Sequence, residues 1–298
     1  MSVAFEPADA TSPIASSLSA DKISRSRGQR KWANPLTVTG IVLLAVIVLF
    51  CAIYPFFSPH DPTAPNFTQP PLAPPSTTHL LGTDNFGRDI LTRLAYGGRV
   101  DLIVALIGTA GTVVVGGLLG LLAGYTGGWL DSLIMRLVDF TLTMPYLVLV
   151  IAIVAILGAG TQNIVYAIWL VGWVAYARIV RGETLVARRQ EYVDAARVLG
   201  MEHSRIMLRH ILPNVAAAAL IYAMADMVLN ILLASSLSFL GLGTRPPNPE
   251  WGLMVAEARD FFLRDWRLMT YPGLAVLITG AALGLIGDGL AQALRPKG

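Results

Sequence analysis

The chain has 298 residues, 54% of them hydrophobic, with a mean hydropathy of +0.61 and a formal net charge of +3. Only 14% are charged, against about 25% in a typical soluble domain, which excludes a soluble globular protein and points to a chain that crosses a bilayer several times. Cys51 is the single cysteine and cannot close an internal disulfide. The four histidines lie scattered, and His203 and His210 are seven residues apart without a third ligand. Neither a metal centre nor a nucleic-acid partner is expected.

Residues 1–34 are rich in Ser, Ala and Pro and hold Lys22, Arg25, Arg27, Arg30 and Lys31, the composition of a disordered tail. A crossing helix needs about 20 mainly apolar residues. Six runs meet that length. The first, 35–57, is too long for a signal-peptide core and reads as a retained anchor. A loop is expected over 58–101, opened by Pro-rich HDPTAPNFTQPPLAPPS, which should run extended. The second run, 102–125, carries Gly108, Thr112, Gly116, Gly120 and Gly124 at four-residue spacing. Such a stripe of small residues lets helices approach closely. The third, 133–157, has Arg136 and Asp139 one turn apart, close enough to pair, and Met144-Pro145, which should kink it. The fourth is 164–180. The fifth, 215–240, holds Asp226 near its middle. The sixth is 271–290, followed by a short tail over 291–298.

Six spans return both termini to one side. Fifteen of the 22 basic residues then lie on that side, which makes it cytoplasmic under the positive-inside rule. The loops 58–101 and 241–270 become extracytoplasmic, and the segment 184–213 becomes cytoplasmic. Asp226 is costly inside a membrane and should face a bundle interior or an aqueous path. Asn230, four residues on, shares its face. The preferred reading makes both line a translocation path; the alternative is a structural hydrogen bond to a neighbouring helix.

Leu81-Gly82-Thr83-Asp84 is not a phosphate loop, because no Gly-Lys-Ser/Thr ending occurs in the chain. No nucleophile–base arrangement stands out either. The chain is therefore expected to carry no catalytic, cofactor-binding or metal-binding residues and not to hydrolyse ATP.

The most polar stretch between two apolar runs is EYVDAARVLGMEHSRIMLRHILPN, residues 191–214. Tyr192 to Leu199 should be helical, and Gly200 can end that helix in a left-handed conformation. His203 to Arg209 should form a second short helix. Pro213 then suits the first turn of the fifth span. On its chemistry alone the stretch is either an amphipathic element resting on headgroups or a docking element for a soluble partner.

The same stretch resembles the cytoplasmic motif of the membrane subunits of bacterial ABC importers. That motif runs Glu-Ala-Ala, three residues, Gly, nine residues, Ile, one residue, Leu-Pro. Here it reads Asp194-Ala195-Ala196, Gly200, His210, Ile211 and Leu212-Pro213. Asp194 replaces Glu, and His210 replaces Ile in a manner typical of the dipeptide/oligopeptide/nickel branch. Residues 79–89 (HLLGTDNFGRD) and 96–99, then 237–243 (LSFLGLG) with Glu250-Trp251-Gly252, resemble that branch as well. So do Tyr271-Pro272-Gly273 and Gly287-Asp288-Gly289-Leu290. The resemblance spans about residues 35–297. One departure stands at Ala234-Ser235-Ser236, where many relatives carry an acidic residue.

This resemblance implies an all-α permease of the type I importer fold with six transmembrane helices and a cytoplasmic coupling-helix loop. It implies a sister permease, two ATP-binding subunits that hold ATP and magnesium, and an extracytoplasmic substrate-binding protein. The residues expected to couple to the ATPase are Glu191, Asp194, Ala195, Ala196, Arg197, Gly200, Glu202, Arg205, Leu212 and Pro213. Gly116, Gly120 and Gly124 are expected to pack helices, with a helix of the sister subunit as a natural occupant. The cargo implied is a small peptide, or alternatively a nickel chelate or glutathione. The competing class is a secondary transporter or channel acting alone, for which an internal repeat would be a signature; none stands out here.

Overall fold

A computed structural model describes residues 34–294, so all but the last residue of the predicted 1–34 tail and residues 295–298 of the predicted 291–298 tail lie outside the described residues, while 291–294 are helix and not tail. The chain is helical almost throughout. Five helices are long and apolar enough to cross a membrane, and a bent pair can supply a sixth crossing. Among the described residues the only extended pairing is an isolated bridge between Thr83 and Asp89.

Helix α1, Pro35–Phe57, has the predicted bounds. Asn34 caps it by accepting from the Leu36 N–H at 3.2 Å, and Pro35 fits a first turn that needs no donor. Helix α2, Ile90–Thr126, begins twelve residues before the predicted Leu102, so 90–101 is helix and not loop. Asp89 starts it by accepting from the Thr92 N–H at 2.8 Å. Its first turns hold Arg93, Arg99 and Asp101, which hid the helix from a hydropathy reading. At 1.5 Å per residue its 37 residues run about 55 Å, well beyond a hydrocarbon core of about 30 Å.

The predicted third span is two helices, α3 Gly128–Leu142 and α4 Tyr146–Leu157, bent by 87°. A kink was expected and a full corner is found. Pro145 sits at the start of α4 in an extended conformation, and a residue before proline, here Met144, is driven out of the helical region. Arg136 and Asp139 are exposed and make no ion pair; the pair formed is instead Arg181 with Asp131, at 2.7 Å.

Helix α5 runs Thr161–Ala187, and the short α6 runs Glu191–Val198. The predicted second short helix is not separate from the fifth span: α7 is continuous over His203–Phe239. It opens with one α-turn, widens into a π-helical segment over Ile206–Ile211, and is α-helical from Leu212. Pro213 explains the widening. It donates no hydrogen bond and its ring crowds the preceding turn, and a wider turn relieves both. Asn214 Nδ2 donates to the His210 carbonyl at 2.9 Å, holding the turn closed. Helix α8, Trp251–Ala258, interrupts the predicted loop 241–270. Helix α9, Arg267–Leu294, extends the predicted sixth span by four residues at each end.

The centre of the molecule is the packing of α2 on α5. Gly116, Gly120 and Gly124 let the two backbones meet: a Cβ on Gly120 would lie 2.5 Å from the Ala177 carbonyl oxygen, and one on Gly124 would lie 2.7 Å from Thr184 Cβ. The stripe is therefore filled by a helix of the same chain, not by the sister-subunit helix expected. Helix α7 packs across both, and α1 lies against α9.

At the end of the bundle bearing the 58–89 loop, buried charge knits the pieces together. Arg93 is 1% exposed. It donates to Glu257 Oε2 at 2.7 Å, to the Pro62 carbonyl at 2.9 Å and to the Pro247 carbonyl at 3.3 Å. Arg88 pairs with Asp84 at 2.7 Å. The Trp251 N–H donates to Asp101, and its indole donates to the Leu94 carbonyl. This end is a fastened cap.

Candidate functional site

The 191–214 stretch sits at the opposite end of the bundle, folded onto the ends of α2, α5 and α7. Val193 and Ala196 point inward and join Ile206, Ile211, Val215, Tyr176 and Val180 in one buried cluster. This spacing of three residues puts both on one face of α6. Gly200 ends α6 with φ +71°. Its N–H bonds the Arg197 carbonyl at 2.9 Å, and the Met201 N–H bonds the Ala196 carbonyl at 3.1 Å. Those two bonds form a Schellman motif, which satisfies carbonyls that a helix end otherwise leaves open. Met201 then packs against the same cluster as Ala196.

The expected coupling residues divide by face. Glu191, Asp194, Ala195, Arg197, Gly200, Glu202, Arg205 and Pro213 are exposed; Ala196 is buried and Leu212 half-buried. Asp194 and Arg197 form an ion pair at 2.9 Å, worth about 0.3–0.5 kcal/mol at such exposure. Two residues not singled out from the sequence complete the outer face: Val198 is 89% exposed and Leu199 is 74% exposed. Two large apolar side chains at the tip of a polar loop are costly in water unless something covers them. Helical phase was the available signal: with Val193 and Ala196 on the inner face of α6, Val198 falls on the opposite side.

The seat of the loop is the end of α2. The Tyr125 hydroxyl and His203 Nδ1 are 2.7 Å apart. Arg188 donates to the Gly124 carbonyl at 2.9 Å and to the Tyr125 carbonyl at 3.3 Å. The Arg197 guanidinium lies 6.0 Å from the Tyr125 ring centre. Tyr125 thus joins α2 to both arms of the loop.

A second cluster lies deeper in the bundle. Asp226 and Asn230 are both buried on α7. Tyr176 of α5 donates to Asp226 Oδ2 at 2.9 Å. Asn230 Nδ2 lies 2.9 Å from Thr109 Oγ1 of α2 and 3.3 Å from Asp226 Oδ2. The four residues tie three helices where an unpaired polar group would be expensive. In this conformation Asp226 and Asn230 are covered by α2 and α5 and do not stand on an open surface.

The chain is similar in sequence and in fold to known proteins. Residues 116–297 match the model of the binding-protein-dependent transport system inner membrane component family, and residues 29–75 match the N-terminal transmembrane domain of oligopeptide transport permease C. The chain is 42% identical over 275 residues to the di/tripeptide transport system permease protein DppC of Pseudomonas aeruginosa, covering 90% of each. It is 39% identical over 264 residues to the dipeptide transport system permease protein DppC of Alkalihalophilus pseudofirmus, covering 89% of this chain and 86% of that one. It is also 42% identical over 223 residues to the glutathione transport system permease protein GsiD of Pectobacterium atrosepticum, covering 75% and 74%. In fold it is similar to a chain of the MetNI methionine ABC transporter in inward-facing conformations, with a TM-score of 0.56, 16% identity, and 68% of this chain and 97% of that one covered. With the family model matched over most of the chain and a helical bundle bearing the short-helix loop where the motif lies, the chain belongs to the binding-protein-dependent transport system inner membrane component family.

Proposed function

We propose that the chain is one of two membrane subunits of an ATP-driven importer of small peptides, and that the 191–213 loop carries movement from an ATPase subunit into the bundle. The observation that carries this reading is the exposed Val198–Leu199 tip, set by the Gly200 bend on a helix whose inner face is anchored to α2, α5 and α7. A docking element needs an apolar contact outside and a firm hold inside, and α6 has both. The termini and this loop are cytoplasmic, the 58–89 and 241–266 segments face the substrate-binding protein, and a sister permease covers part of the exposed apolar face of α3 and α4. The di/tripeptide and dipeptide permeases among the relatives support peptide cargo.

Closure of the ATPases draws the loop and, through it, the ends of α2, α5 and α7, and α5 parts from α7. Asp226 and Asn230 reach the path only when α5 withdraws from α7, so path-lining and helix-locking are successive states of one cluster.

The test is reconstitution of the four-subunit assembly in liposomes with a Val198→Asp/Leu199→Asp variant. The variant is expected to keep its melting temperature, because both side chains are already in water, and to lose at least about tenfold in binding-protein-stimulated peptide uptake; a lost apolar contact of about 1.5–3 kcal/mol per side chain implies that much. Wild-type uptake by the variant would overturn the coupling role. Uptake by the chain alone on an ion gradient would overturn the importer reading.

A further inference from the structure

The loop that follows α1 brings together three residues far apart in sequence. His60, His79 and Asp89 each offer a ligand atom, and these atoms all lie within 4.8 Å of one another. Sequence spacing gave no sign of this, since 19 and 10 residues separate them in a Pro-rich run. The fold closes the distance through a backbone turn at 76–82 and the bridge of Thr83 to Asp89.

Each donor is held for the purpose. Asp89 and His79 are both buried, and His79 Nδ1 stands 3.0 Å from Asp89 Oδ1. Asp89 Oδ2 is fixed by the Thr92 N–H at 2.8 Å and the Thr92 hydroxyl at 2.7 Å, leaving Oδ1 for His79 or an ion. The His60 ring lies 4.5 Å from the His79 ring, tilted by 30°. His60 Nε2 is 3.0 Å from the Thr78 carbonyl. A carbonyl accepts, so Nε2 carries the proton and the lone pair is on Nδ1. A carbonyl behind one imidazole nitrogen is the usual support for a ligand on the other.

The site opens into a cavity of about 260 Å³, lined by His60, His79, Asp89, Asp61, Asn66 and Arg88. The cavity gives an ion a way in and leaves room for a water as fourth ligand. Asp61 adds negative charge at the mouth. Arg88 is the one opposing charge, and its guanidinium is already engaged by Asp84, by Glu257 at 3.4 Å and by the Phe86 ring.

The geometry points to a divalent transition-metal site, of the zinc class, formed by His60, His79 and Asp89 on the 58–89 loop. Two imidazoles and a carboxylate are the ligands of many zinc centres, with bonds of about 2.0–2.2 Å, and imidazole favours zinc, copper and nickel over magnesium or calcium. Donors on one tetrahedral zinc lie about 3.3–3.6 Å apart at these bond lengths, so donors now within 4.8 Å of one another close in by up to about 1.5 Å on binding, a movement that half-buried His60 is the freest of the three to make. The ion takes the place of the proton between His79 Nδ1 and Asp89 Oδ1, and a neutral His79 that binds it through Nδ1 carries its proton on Nε2. It staples the segment just after α1 to Asp89, the residue that caps the start of α2. This goes beyond the importer reading and does not depend on it.

The test uses the full chain in nanodiscs, purified through a tag without histidine, stripped with chelator and titrated with zinc or cobalt(II). One zinc per chain is expected, with a cobalt(II) visible band and a rise in melting temperature. His60→Gln, whose side chain is partly exposed and whose fold circular dichroism would verify, should weaken zinc binding by about tenfold or more. His203→Gln/His210→Gln removes the other two histidines at the opposite end of the bundle and should bind zinc as wild type. Absence of stoichiometric zinc, equal affinity in His60→Gln, or loss confined to the His203/His210 variant would each overturn the site.

Discussion

Asp226 shows how one residue can carry two readings that only its surroundings separate. Its carboxylate accepts from Tyr176 of α5 and is approached by Asn230, which in turn reaches Thr109 of α2, so three helices are joined through one short chain of hydrogen bonds. Asp226→Ala leaves the Tyr176 hydroxyl and Asn230 amide short of a partner in a buried setting, a cost of about 1–3 kcal/mol. Asp226→Asn keeps an acceptor of the same shape. Thermal melting in detergent should therefore fall for the alanine variant and hold for the asparagine variant. Peptide uptake should fall in both, because a path residue needs its charge and not only its shape; unchanged uptake in Asp226→Asn would leave the locking role alone. Gly200 is the other residue whose role is settled locally. Its φ of +71° is open to glycine and strained for most side chains.

At the scale of elements, the pairing of α2 with α5 sets the frame on which the loop pulls. Gly120 faces backbone, not a flexible side-chain end: a Cβ there would meet the Ala177 carbonyl at 2.5 Å and the Ala177 Cα at 3.0 Å. The helices must part to admit one, so Gly120→Val should destabilise by about 3 kcal/mol or more. Gly182 on α5 has open space around its Cβ position. Gly182→Ala should be neutral or stabilising by about 0.5–1 kcal/mol. Chemical or thermal unfolding of the two variants side by side measures the difference. The π-helical opening of α7 belongs to this scale as well. It lets one helix run from the loop tip to the bundle core despite Pro213, so no flexible joint absorbs a displacement of the loop.

At the scale of the whole molecule, the two ends differ in kind. The end with the 58–89 loop is bound by buried ion pairs through Arg88 and Arg93 and by Trp251 against α2. The other end presents a seated loop with exposed apolar tips. This asymmetry suits a bundle that yields at one end and holds at the other. The orientation has a direct check. Cys51 is buried, so a Val198→Cys chain offers one accessible thiol. A membrane-impermeant maleimide should label it in inverted vesicles and not in intact cells; the opposite pattern would reverse the topology.

Apolar runs of helical length gave the all-α class and the places of five long apolar helices, with the bent pair α3 and α4 as a candidate for the sixth, because a bilayer permits few other solutions to backbone hydrogen bonding. The short helix and its left-handed end at Gly200 were legible because they are local and depend on near neighbours, whereas the run of α7 through Pro213 was not. Other features lay beyond reach for the opposite reason. The early start of α2 depends on partners for Arg93 and Asp101 that come from residues 62, 247, 251 and 257. The occupant of the glycine stripe depends on which helix arrives there, and small residues specify closeness without specifying a partner. The corner at Pro145 was foreseen as a kink because proline weakens a helix locally, whereas the angle follows from what the two halves pack against. The gathering of His60, His79 and Asp89 depends on the path of a loop that has no periodicity to read. The sequence by itself thus determined the membrane class, the long apolar helices and the bend at Gly200 through short-range chemistry. The tertiary structure alone decided which polar residues meet, because those contacts join segments whose separation along the chain carries no information about their distance in space.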